Sequence, residues 1–112
     1  MKRKFEIING DFNVLEGYLW YDTNTKEFSM RTADKYTDCG NLFFKILHEQ
    51  GVRDVPQHIV DRWVDGRIIP PNRQGLYDIL KEMGVTEYDR FTMLKYNDAV
   101  CQMDSSYIRE VV

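Results

Sequence analysis

The chain has 112 residues, 43% of them hydrophobic and 13% aromatic, which suits one folded domain and excludes a disordered tail. Its formal charge of −3, from 18 acidic and 15 basic side chains, excludes a strongly basic nucleic-acid binder and a strongly acidic chain alike. No apolar run approaches the ~20 residues that cross a bilayer, and the start MKRKFEIINGDF has no apolar stretch behind its basic residues, so the chain reads as cytoplasmic, with no membrane association.

The first third predicts β structure. In residues 4–8, KFEII, Phe5 and Ile7 alternate with Lys4 and Glu6, and Asn9-Gly10 follows as a turn signal. Segments 16–22 and 26–32 flank Thr23-Asn24-Thr25 and predict a hairpin. Period-two alternation puts Leu19 and Tyr21 on one face of its first arm and Tyr18 and Trp20 on the other. In the second arm Phe28 and Met30 alternate with Glu27, Ser29 and Arg31, which gives that arm one wet face.

Helical signals take over after the polar connection 33–40. Leu42, Phe43, Ile46 and Leu47 form one stripe on a helix ending at Gly51. Asp54 is a candidate cap for the next, where Val55, Ile59, Val60, Trp63 and Val64 oppose Gln57, His58, Asp61 and Arg62, with Gly66 at its end. Beyond Pro70-Pro71, the spacing of Leu76, Ile79, Leu80 and Met83 predicts a helix over 72–83, closed by Gly84 as a left-handed cap. Thr86 with Asp89 resembles a capping box opening a fourth helix over 87–95. Residues 106–112 are a candidate closing strand. The whole predicts a single α+β domain over 1–112, β-rich over 1–32 and helical over 41–95, with a closing strand somewhere in 98–112. A small antiparallel sheet packs against about four helices, and Trp63, Phe43, Leu47, Ile59, Ile79 and Leu80 are expected to dominate the core.

Reactive groups are sparse. Cys39 and Cys101 lie outside any Cys-x-x-Cys pattern and read as two thiols of a reducing compartment, with a single long-range disulfide as the alternative. His48 and His58 both fall on the wetter sides of their helices, outside any catalytic or metal-binding spacing. Asp34, Asp38 and Cys39 are the nearest approach to a metal set, but solvated loop acids account for them, and neither a metal nor a cofactor is expected. Arg67 and Arg73 flank the two prolines and offer planar guanidiniums as an anion or carboxylate clamp, against the plainer reading that they pair with Asp65 and Asp78. A helix-turn-helix around Gly84 would lead with Glu87 and Asp89, acids that repel phosphate, so direct nucleic-acid binding is not expected. The hairpin aromatics are more suggestive. Both faces of 18–21 are aromatic or apolar, so at least one needs a partner: a helix of this chain, another protein, or a second copy.

Three spaced patterns, Arg67-x-x-Pro70-x-x-Arg73, Leu80-x-x-x-Gly84-x-x-x-Tyr88-Asp89 and Asp104-x-x-Tyr107-Ile108-Arg109, are similar to one in small uncharacterised proteins of gut Firmicutes. The resemblance covers less than half of the chain. It associates the pattern with loci encoding HipA-type toxin kinases or other mobile elements, and GYLWYDTNTKEF resembles the β-rich N-terminal subdomain of HipA-type proteins. A kinase glycine-rich loop and catalytic-loop Asp are absent, so the resemblance implies an accessory or regulatory partner. The expectation is a non-catalytic, antitoxin-like component that docks on another protein through Tyr18, Trp20 and Tyr21, with Arg67 and Arg73 as a clamp. The alternatives are a mobile-element inhibitor that mimics nucleic acid toward a defence nuclease, and a small anion-binding enzyme built on Arg67, Arg73 and His58.

Overall fold

The computed structural model describes residues 1–38 and 40–111; Cys39 and Val112, and with them the Cys39–Cys101 disulfide alternative, lie outside the described residues. Three strands, β1 (Lys2–Asn9), β2 (Val14–Asp22) and β3 (Glu27–Thr32), precede four helices, α1 (Leu42–Glu49), α2 (Gln57–Asp65), α3 (Leu76–Met83) and α4 (Arg90–Tyr96), and β4 (Ser106–Glu110) closes the fold. The strands form one antiparallel sheet in the order β3-β2-β1-β4. The closing strand therefore pairs with β1 and not with the hairpin.

One sheet face meets the helices. Phe5 and Ile7 of β1, Leu19 and Tyr21 of β2, Phe28 and Met30 of β3 and Ile108 of β4 form one buried cluster with Phe44, Leu47, Val60, Trp63, Val64 and Leu94. The sheet leads this core. Phe5, Ile7, Leu19, Phe28 and Ile108 are all at or below 1% exposure, whereas Phe43, Ile59 and Ile79, expected to dominate, are only half-buried. A strand residue under a helix layer is covered by its neighbouring strands as well, and a short surface helix lacks that second wall.

Helix ends depart from expectation for identifiable reasons. On α1 the buried residues are Phe44 and Leu47, while Leu42 and Ile46 face solvent. Asn41 sets this rotation: its side chain accepts from the Phe43 amide, and its Nδ2 donates to Ser106 Oγ of β4 at 2.9 Å. Pro56, not Asp54, precedes α2, and Asp54 instead bridges to Arg31 on β3. Gly75, left-handed at φ 79°, delays α3 to Leu76, and Gly84 at φ 76° ends it as expected. Asp89 is itself the cap of α4, accepting from the Thr92 amide at 2.9 Å, so no box runs from Thr86.

Both sheet edges are partly occupied. Along β3, the Thr32 amide donates to Arg53 O (2.9 Å), the Val55 amide to Met30 O (3.0 Å) and Gln57 Nε2 to Phe28 O (2.9 Å). Along β4, the Ile108 amide donates to Asp98 O (2.9 Å) and Arg67 Nη1 to Ser106 O (3.3 Å). Unpaired edge groups are templates for strand addition, and these bonds take part of each edge. Among the described residues no helix is long and apolar enough to cross a membrane.

Candidate interaction surface

Among the described residues, no helix joins the opposite face of the sheet. Alternation brings Lys2, Lys4, Glu6 and the buried Ile8 of β1, Tyr18, Trp20 and Asp22 of β2, Glu27, Ser29 and Arg31 of β3 and Tyr107 and Arg109 of β4 onto it. Cross-strand register orders them: Arg31 lies opposite Tyr18, Tyr18 opposite Glu6, and Glu6 opposite Arg109, while Ser29, Trp20 and Lys4 form the next row. Tyr18 and Trp20, both half-exposed, stand with ring centroids 5.9 Å apart. The Lys4 ammonium sits 4.6 Å from the Tyr18 ring and 5.7 Å from the Trp20 ring, a cation shared by two π faces.

The charges here are of two kinds. Arg109 is tied to Glu6 by Nη2 at 3.0 Å and Nε at 3.1 Å, and Arg31 reaches Asp54 at 3.4 Å. Lys2 and Lys4 make no ion pair among the described residues. Asp22 turns away into the hairpin loop, where the Asn24 and Thr25 amides donate to it and hold its carboxyl below the usual range. Four bases against three acids leave this face at +1, on a chain of −3.

Of the residues singled out from the sequence, only Tyr18 and Trp20 are brought together on this surface. Tyr21 is a correction: it points into the core at 6% exposure, its ring stacked on Phe91 at 4.2 Å with planes 6° apart. Its burial raises the phenol above its ordinary range. Arg67 is a second correction. It is buried at 8% exposure and donates from Nη1 to Ala99 O (2.8 Å) and from Nη2 to Asp104 Oδ2 (2.5 Å), with its Cζ 4.0 Å from the Trp63 ring. The Asp65 pairing does not form and the clamp loses this arm, because the guanidinium is committed to the Ala99 and Ser106 carbonyls, Asp104 and the Trp63 ring. Asp65 pairs with Arg90 instead, at 2.9 Å. Arg73 is exposed in the turn before α3 and His58 is exposed on α2, so an anion site would have to form without Arg67.

Sequence reasoning passed over Lys4, which only the β1–β2 register places over the two rings. A basic residue opposite an aromatic pair is a weak signal, since register is not legible from one strand.

A polar set lies on the helix side, near the β1–β2 irregularity at Ile7/Ile8. Ser106 Oγ donates to Glu16, which is 5% exposed, and accepts from Asn41. Nearby, His48 and Tyr36 hold their rings 4.9 Å apart. Burial, and then Arg53, push the His48 imidazole below its ordinary range. The unfolded chain then binds a proton that the fold resists, so stability falls as pH drops through about 6.5. Urea midpoints measured at pH 5 and pH 7.5 are expected to differ more for the wild type than for His48→Gln; equal differences would remove His48 from the pH response.

Comparison with protein-family models, with curated proteins and with solved structures finds no match to this chain.

Proposed function

We propose that the chain is a non-catalytic binding component that docks on another protein through the outer sheet face centred on Tyr18 and Trp20. The observation that carries this reading is the one-sided fold. The helices cover one face of the sheet, the edges are partly taken, and two aromatic side chains stand half-exposed on the remaining face. Aromatic and Arg side chains are enriched where partners bind, and Tyr18, Trp20 and Arg31 form such a group. The resemblance of residues 67–109 to proteins of toxin-kinase and mobile-element loci supports an accessory or antitoxin-like role in the cytoplasm of a bacterium.

Trp20→Ala tests it. A hot-spot tryptophan contributes at least about 2 kcal/mol, or roughly 30-fold in affinity. Capture of a partner from the native host by a tagged copy should fall by that factor, while the thermal midpoint drops by no more than about 4 °C, as expected of a surface site. Tyr77→Ala, on the 79% exposed tyrosine of α3, is the control and should leave capture intact. Capture that survives Trp20→Ala but is lost with Tyr77→Ala would move the docking surface to α3.

A further inference from the structure

We infer that the outer sheet face recognises an acidic, extended segment of its partner, with Lys4 as the central carboxylate receptor on a Tyr18–Trp20 platform. This rests on the protein-docking reading above and names the chemistry of the partner.

A strand adding itself would meet edges that are already partly taken. Main-chain groups of β3 at Phe28, Met30 and Thr32, and of β4 at Ser106 and Ile108, already bond to residues 53–57, Asp98 and Arg67. On the open face, recognition comes from the side chains that stand on it. Four strands at ~4.8 Å spacing, of 5 to 9 residues at ~3.4 Å each, give a projected face of roughly 450 Å². A stable dimer needs about 800 Å² on each copy. The face is too small for a second copy to hold by it alone and large enough for a short segment.

Charge then selects the segment. Arg109 is matched by Glu6 from within the face, and Asp22 is held by the loop amides. Lys2 lies opposite Asp22 and favours its carboxylate, so the unmatched charge at the rings is Lys4, with Arg31 bound only to Asp54, whose side chain is 85% exposed. A lysine above two rings has its lower side against π density and its upper side toward solvent. A carboxylate arriving from above meets that ammonium, while the apolar part of the segment covers Trp20. The other side of the balance excludes nucleic acid as the better occupant. A face at +1 on a chain of −3 neutralises few phosphates, and Glu6 and Glu27 stand where a backbone would run.

The test uses the full chain, ¹⁵N-labelled, with three probes: the peptide Asp-Leu-Asp-Gly-Asp-Leu-Asp, its counterpart with every Asp changed to Asn, and a ten-nucleotide oligo-dT. The expected result is saturable binding of the acidic peptide, at least tenfold tighter than the Asn form. Amide shifts should be confined to residues 2–6, 18–22 and 29–31, with the Trp20 indole among them. Lys4→Gln should weaken the acidic peptide at least tenfold and leave the thermal midpoint within about 2 °C. Equal binding of the Asp and Asn peptides, tighter binding of oligo-dT, shifts centred elsewhere, or concentration-dependent self-association through the same amides would each overturn the inference. If Trp20→Ala abolishes capture of the native partner while Lys4→Gln leaves it unchanged, the docking surface stands and its acidic specificity fails.

Discussion

Arg67→Ala is expected to cost about 3–5 kcal/mol of folding stability, as removal of one member of a buried ion pair does. The cause lies in what the guanidinium holds together. Nη1 binds Ala99 O and Ser106 O, Nη2 binds Asp104, and the planar group covers the Trp63 ring. Asp98 and Ala99 are both left-handed, at φ 53° and 64°, a conformation costly to residues with a Cβ. That turn is fastened on two sides, by Arg67 on the Ala99 carbonyl and by the Ile108 amide on the Asp98 carbonyl. Without Arg67 the turn and the β4 edge lose a shared anchor, and Asp104, 26% exposed, loses its counter-ion. Arg67→Lys should rescue only a fraction, because one ammonium cannot reach three acceptors in the geometry of a planar fork. Urea denaturation of the three proteins reads this directly. A loss below about 1 kcal/mol for Arg67→Ala would show the arginine dispensable to the fold and reopen its use as an anion clamp.

Gly17→Val is expected to cost about 3 kcal/mol, the upper part of the range for overpacking a closed interior. A Cβ built on Gly17 lies 2.6 Å from the Arg31 carbonyl oxygen and 3.2 Å from Phe44 Cε1. The first contact is backbone of the adjacent strand, which cannot swing aside; the second is the residue that seats α1 on the sheet. Gly17 is therefore needed for close approach, not for an unusual φ. Its neighbour Glu16 belongs to the same corner through Ser106 and, by way of Ser106, Asn41. The side chain at 17 should push β2 and β3 apart locally and lift α1, so amide exchange should accelerate in residues 28–32 and 42–49 before the rest. Gly17→Ala, smaller by two methyls, should lie nearer 1–2 kcal/mol on the same scale. A Gly17→Val protein with an unshifted urea midpoint would show that the strands have room the geometry denies.

The sheet and helices were legible because their signals are local. Alternation at Phe5 and Ile7, Leu19 and Tyr21, and Phe28 and Met30 is a property of the strand itself, and β1, β2 and β3 appear where it recurs. Gly84 was equally legible, since a left-handed cap after an apolar stripe needs nothing from afar. The rotation of α1 was not, because Asn41 is anchored to Ser106, 65 residues away. Asp89 illustrates the intermediate case: an acid near a helix start was recognised, but its place as the cap itself depended on where the chain turned. The candidate surface divided in the same way. Tyr18 and Trp20 share a face by period alone, and which of the two faces the helices would cover was open.

The sequence by itself therefore determined a small α+β domain, the strands and their two-sided character, and the separation of Tyr18 and Trp20 from Tyr21. Only the tertiary structure decided which side of the sheet stays open, that both edges are partly taken, that Lys4 lies over the aromatic pair, and that Arg67 is an internal anchor. The physical reason is range. Periodicity and capping act over a few residues, whereas the acceptors of Arg67 lie 32 to 39 residues along the chain and meet it only after α2, the turn at Ala99 and β4 have packed together.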